Sequence, residues 1–461
     1  MFHAAAFPFV GDLRELWSPS RYVPLGRISA PASVSYTERE FSTPASSDAA
    51  ANVAAIQAVL DLGGRIVFTR GDDYFIDANL EIPDNTILDL GTATITGKPG
   101  SGDRRLITNS GSSNITLRNG TVRTLNTNST SRLVTFDGVA GVEIDDVTLF
   151  DAEVHSVEII DCTDIWVHHC TITGYGDDAI TMHTSLDMLI EWNLISGGRC
   201  LKGGSHGVEI EDANGRITVR YNTISDNLNN ADFPAFQAGG VLITANNSDP
   251  QVESSSVIVE YNSITNCQFS GIRSFSDVSN PHLHVHIRRN TVTGCGSSAT
   301  GVISLINTRF ASLSDNVVSG DFSANAYGYY IENCYDWRML RNSVAGVGRQ
   351  GVYVDATTGA RGSIARTYVD SVGVGLSSTD AIKIVATSAN NAELEIVSNT
   401  IRNTQSVSNM TKGVNIGTIL DYWTLIDNDV DIGGTAANAY IYTAPAHSTV
   451  SNNLGGEAGD L

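Results

Sequence analysis

Proline is scarce, at 11 of 461 residues, and charged residues make up only 17% of the chain. The shortfall is in bases: 28 Lys and Arg stand against 50 Asp and Glu, a formal net charge of −22, and lysine is rare beside arginine. Without a basic stripe to neutralise phosphates, the composition argues against nucleic acid as a partner. An anionic membrane surface is disfavoured on the same ground, and an acidic ligand would need local Arg, Lys or a bridging cation. No apolar run is long enough to cross a bilayer. Six cysteines (Cys162, Cys170, Cys200, Cys267, Cys295 and Cys334) are too few and too scattered for a disulfide scaffold in a chain this long. Cys267 and Cys295 each follow a matching asparagine by five residues. They are expected to stack as small buried apolar groups with free thiols. The opening MFHAAAFPFVGDLRELW lacks a basic leader and carries Asp12 and Glu15 early, unlike a secretory signal. Synthesis in a cytoplasm is therefore expected.

What the chain does have is 43 glycines and a repeat. An asparagine shortly ahead of an apolar residue, in segments of roughly polar-Asn-polar-apolar form, recurs at Asn119, Asn193, Asn222, Asn262, Asn290, Asn316, Asn342, Asn399 and Asn428. Asp146 and Cys170 lie near the same slot. Many steps fall between 23 and 29 residues. A second motif, small-apolar-x-apolar, keeps pace from Ser156, Ala179, Gly207, Gly240, Gly271, Gly301, Gly328, Gly351, Ala381 and Gly413. Coils this short cannot bury their own apolar face, but stacked coils can, and stacking pairs each backbone group with the coils above and below. Asparagine tolerates a left-handed turn, and stacked Asn side chains can bond along the axis. The expected fold is all-β, a right-handed parallel β-helix of about twelve coils between residues 75 and 455 with three parallel sheets. Its hand follows the bias of parallel connections. NVAAIQAVLDLGG at 52–64 reads as an amphipathic helix ahead of the first coil. Residues 1–47 show no periodicity and read as a docking arm, and 48–461 read as the solenoid domain.

Strand alternation places the chemistry. If Val157, Ile180 and Val208 point inward, Glu158, Thr181 and Glu209 point outward on successive coils, followed by His183 and Glu211. The residues before the motif, His155, Asp178 and His206, stack as well, with Asp177 beside them. Coils lie about 4.8 Å apart, so these groups converge on one patch. Crowded carboxyls raise one another's pKa and can keep one protonated as a general acid. Asp177, Asp178, His206 and Glu209 are the candidate catalytic groups. His155, Glu158, His183 and Glu211 are candidate binding groups around them. Phe233 and Phe236, in a long insertion after His206, are candidate sugar-stacking groups, and Arg273, Tyr330, Tyr353 and Lys383 continue the outward row. HLHVHI would put His282, His284 and His286 on one outward face, spaced too widely for one ion. No metal site and no cofactor is read from the sequence.

The AAIQ-type helix followed by GGRIVF resembles the opening of the pectate-lyase-like superfamily, a β-helix type found in many phage tail spikes. The resemblance runs from about residue 48 onward and speaks to fold more than to activity. It implies a virion tail protein that recognises a host surface polysaccharide and joins other tail proteins through its N-terminal arm. It also implies a homotrimer, since open strand edges recruit other chains. GYGDDAI with SHGVEI resembles polygalacturonases, which implies Asp177 and Asp178 as water-activating and proton-donating carboxylates and His206 as their support. The Asn-x-Asp and Arg-x-Lys of that family are missing, which puts uronate specificity in doubt. A weaker resemblance to alginate epimerases and lyases would use Tyr175, His183, Lys202 and Arg199. Two function classes stay open: a spike that recognises a surface glycan, with or without depolymerase activity, and a free hydrolase, lyase or epimerase exported by a non-classical route; a purely structural β-helix is a third reading.

Overall fold

The computed structural model describes residues 36–454 apart from 99–102, 112, 126–129, 202–203, 213–214, 229–236, 245–255, 278–280, 297–299, 321–325, 357–360, 374–378, 386–392, 405–409, 418–421, 433–439 and 443–446. These described residues form one compact unit. Its strands lie in three sheets, one of eighteen strands and two of fourteen. Each coil gives a strand to each sheet in turn. Thr163–His168 enters the long sheet, Thr171–Thr173 the second and Ile180–His183 the third. Neighbouring coils pair in parallel, as Val157 with Ile180 and Ile180 with Val208. The expected solenoid is therefore present. The stack starts earlier than residue 75, with Gly64–Phe68, Asp73–Ile76 and Leu80–Glu81.

The asparagine slot builds a buried ladder. Asn193, Asn222, Asn262, Asn290 and Asn316 each donate from the backbone N–H and from Nδ2 to the Oδ1 of the next, all at 3.0 Å, ending on Asn342. A second run goes from Thr367 through Asn399 and Asn428 to Asn453. The left-handed turn falls on the residue before the ladder rather than on the asparagine: Trp192 (φ 60°), Tyr221 (56°), Tyr261 (56°), Arg289 (55°) and Arg341 (53°). The asparagine instead turns inward, where its amide meets three buried groups. Asn119 is the exception. It holds the left-handed position itself (φ 59°), outside the ladder, and donates to Asp89 at 2.6 Å.

The small residue of the second motif has a steric cause. A Cβ on Gly207 would lie 2.5 Å from Ile224 Cγ2, and one on Gly271 2.2 Å from Val292 Cγ1. β-Branched residues of the second sheet thus occupy the space a side chain would need. All six cysteines are buried, and the Cys267 N–H points at Cys295 Sγ at 3.4 Å, the expected stacking.

The helix runs Ala49–Leu60, three residues ahead of its sequence placement, because Asp48 caps it by accepting from Ala50 N–H at 3.0 Å. Gln57 gives and takes a bond with the Glu81 backbone, both at 2.9 Å, and so acts as a strand partner for the open edge. The long sheet is covered differently, by Glu38–Phe41 pairing with Gly64–Phe68. That strand lies ahead of the division drawn at residue 47; residues 1–35 of the arm lie outside the described residues.

Candidate functional site

The third sheet carries the site. Register puts Glu158, Thr181 and Glu209 on successive coils, with Ile160, His183 and Glu211 beside them. Asp177 and Asp178 come from the corner before Ile180, and His206 from the strand Ser205–Glu211. The alternation rule thus brings the predicted groups together. It misjudges their exposure: Asp178 is 1% exposed, Glu158 4%, His206 5% and His155 8%. Beside the row, the corners between the second and third sheets bond to one another from coil to coil. Asp177 N–H donates to Val154 at 3.0 Å, Arg199 N–H to Tyr175 at 2.8 Å and Leu201 N–H to Gly176 at 2.5 Å. Asp177, Glu209, His183 and Glu211 stay half-buried and open to a ligand.

Asp178 is the hub. Its Oδ1 accepts the His206 backbone N–H at 2.8 Å and meets His206 Nδ1 at 3.1 Å, while His155 Nδ1 stands 3.5 Å from Oδ2. Glu209 shares a side-chain hydrogen bond with Asp178. Burial first, then the Asp177 charge, pushes Asp178 up to about 7. Burial and the Glu209 charge take Asp177 to about 7. Burial and the Asp178 charge take Glu209 to about 9. The three carboxyls therefore compete for protons near neutral pH, with Glu209 raised furthest. Burial lowers His206 to about 4 and His155 to about 3, so both imidazoles are neutral there. His183 moves the other way, raised chiefly by its bond to Glu211.

Glu158 stands apart. Arg132 Nε holds one oxygen at 2.7 Å and Thr135 Oγ1 the other at 3.1 Å, so its charge is spent on structure. Up the axis the same outward row reads Leu242, Arg273, Ser304, Tyr330, Tyr353 and Lys383. Tyr330 and Tyr353 stack at 5.4 Å and 6°, with Tyr327 4.8 Å from Tyr353. Arg273 lies over Phe269 (5.1 Å) and Phe275 (4.5 Å). Tyr327, Phe269, Phe275 and Arg132 were not singled out in the sequence; Tyr327 precedes the Gly328 motif, and only register gives the others meaning. Phe233 and Phe236 lie outside the described residues.

Two readings are corrected. Tyr175 belongs to the core, fully buried, with its hydroxyl on Asn227, so it cannot reach a sugar as the epimerase roles require. Arg199 is held on the Ala152 carbonyl at 2.7 Å, and Lys202 lies outside the described residues. The three histidines of HLHVHI do not share a face. His284 turns left-handed (φ 53°) between two short strands and stacks on Phe310 at 5.2 Å. His282 and His286 are buried on Ser274 and Ser312.

A family described as a right handed beta helix region matches residues 77–257. No curated protein matches the chain. Similar solved structures include the bacteriophage Phi29 gene product 12 N-terminal fragment, 15% identical over 80% of this chain and 69% of that one, TM-score 0.55. A mutant tailspike protein of E. coli bacteriophage HK620, in complex with a pentasaccharide, is 11% identical over 87% of this chain and 76% of that one, TM-score 0.54. The Azotobacter vinelandii mannuronan C-5 epimerase A-module is 15% identical over 87% and 94%, TM-score 0.49. At these identities the likeness is one of fold. The chain is a right-handed parallel β-helix protein, and phage tailspikes are among the proteins that share its architecture.

Proposed function

We propose that this protein is a tailspike-like receptor-binding β-helix that holds a host surface polysaccharide along the outward row of its third sheet and hydrolyses it at the carboxyl cluster. One observation carries the reading: Asp177, Asp178 and Glu209 crowd on adjacent coils, where burial and one another's charge raise all three carboxyls. A glycosidic oxygen leaves as an alcohol only if it is protonated, and water attacks only if it is deprotonated. Glu209, half-buried and raised furthest, serves as the acid. Asp177, also half-buried, serves as the base. Asp178 does not reach the surface, so it is a positioning residue that fixes His206 and sets the Glu209 pKa. Tyr330, Tyr353 and Arg273 offer faces and donors for further sugar units. A tail location, docking to other tail proteins through residues 1–47 and a homotrimeric assembly belong to the same proposal.

The test uses the full chain against a panel of bacterial surface polysaccharides, reading binding and reducing-end release separately. Glu209→Gln should cut release by about 10²–10⁴-fold with binding kept. If the wild type binds a glycan and releases no reducing ends from it, the catalytic part of the proposal is wrong.

A further inference from the structure

A second cluster lies on a different corner of the solenoid, between the long and second sheets. Asp145 and His168 are register partners at the ends of neighbouring strands, and His169 follows in the turn. Their ligand atoms form a small triangle. His168 Nδ1 stands 2.8 Å from His169 Nδ1 and 3.1 Å from Asp145 Oδ1, and His169 Nδ1 stands 3.6 Å from the same oxygen. We propose that Asp145, His168 and His169 bind a first-row divalent cation of the zinc type, with a fourth position open to water.

Three observations support this. The first is size. A circle through the three atoms has a radius of about 1.9 Å, just under a zinc–nitrogen bond of ~2.0–2.1 Å. An ion slightly off that plane touches all three without moving them. The second is tautomer. His168 Nε2 faces Glu143 Oε1 at 3.4 Å, and Glu143 is itself held by Thr116 Oγ1 at 3.1 Å. A proton on Nε2 for Glu143 leaves a lone pair on Nδ1, aimed into the triangle. A carboxylate behind a ligating histidine is the usual outer partner of such sites. The third is rigidity. His168 is 4% exposed, and Trp166 stacks on it at 3.7 Å and 22° while its Nε1 donates to Glu191 at 3.2 Å. Two imidazole nitrogens facing each other at 2.8 Å share either a hydrogen, one ring donating to the other, or a metal. Two nitrogens and one carboxylate oxygen suit zinc, cobalt and nickel better than calcium or magnesium.

The full chain, stripped with EDTA, is titrated with Zn²⁺ by calorimetry and with Co²⁺ by visible absorption. One equivalent of Zn²⁺ should bind, and Co²⁺ should give the intense bands of a four-coordinate site. His169 is exposed, so His169→Ala should fold normally and lose the site, weakening Zn²⁺ by at least ~100-fold. Glu143→Gln should weaken it by about 10–100-fold. Glu209→Gln should leave it unchanged. Absence of Zn²⁺ binding, or binding that His169→Ala leaves intact, overturns the proposal. So does binding lost in Glu209→Gln, which would move the ion to the carboxyl cluster.

Discussion

At the scale of single residues, the carboxyl cluster makes two pH predictions. An acid must be protonated and a base ionised, so release should rise with pH as Asp177 ionises near 7 and fall as Glu209 ionises near 9. A bell in kcat/KM against pH checks this. In Asp178→Asn the alkaline limb should move to lower pH, because the Asp178 charge is one cause of the raised Glu209; a purely structural role for Asp178 would leave that limb in place. The second prediction concerns stability. Glu209 has a folded pKa raised above its unfolded value of about 4.3, so its favourable contribution is full below about 4.3 and is lost progressively as pH climbs from there to about 9. Glu209→Gln should match the wild type in Tm at about pH 4 and exceed it at about pH 9.5. Strand alternation was enough to gather Glu158, Glu209, His183 and Glu211 from the sequence. It could not show that Arg132 neutralises Glu158, nor that Asp178 lies buried against His206, because neither follows from alternation. Asp145 and His168 were illegible as a pair for a related reason: they lie 23 residues apart and meet only through register.

At the scale of elements, the asparagine ladder is a continuous hydrogen-bonded spine. Removing one rung strands partners on both sides. In Asn290→Ala the Asn262 N–H and Nδ2 lose their acceptor, and the Val259 carbonyl and Asn316 Oδ1 lose a donor. The loss should be about 3–5 kcal/mol in denaturant unfolding at fixed protein concentration. The opposite change is open at Thr367, which interrupts the ladder between Asn342 and Asn399 and uses Asn399 Oδ1 through its backbone alone, at 2.9 Å. Thr367→Asn should add about 0.5–1.5 kcal/mol by bridging the two runs. The existence of this spine was plain in the sequence, since only a stack explains asparagines at such steady intervals. Its turn geometry was not. Large residues such as Trp192 and Tyr221 hold the left-handed position that propensity assigns to asparagine, because burying the amide in the ladder outweighs the backbone preference. The helix began early for a simpler reason: Asp48 is a better cap than the apolar pattern alone revealed.

At the scale of the whole molecule, the proposed trimer should be seen by light scattering at micromolar concentration, and a monomer there would remove that part of the proposal. The repeat carried most of the architecture, because parallel coils leave few other ways to satisfy strand edges. Constant register has a further consequence. Glu209 and Tyr330 are four rungs apart, through Leu242, Arg273 and Ser304. That is about 19 Å, in steps of ~4.8 Å. Excising residues 290–315 joins ladder position to ladder position, since Asn290 and Asn316 are 26 residues apart. Tyr330 would then sit one step nearer, about 14 Å away. Products counted by mass spectrometry should shorten with it if the tyrosines grip the chain while the acids cut. The solenoid would then be a ruler, and evolution could reset its length only one graduation at a time.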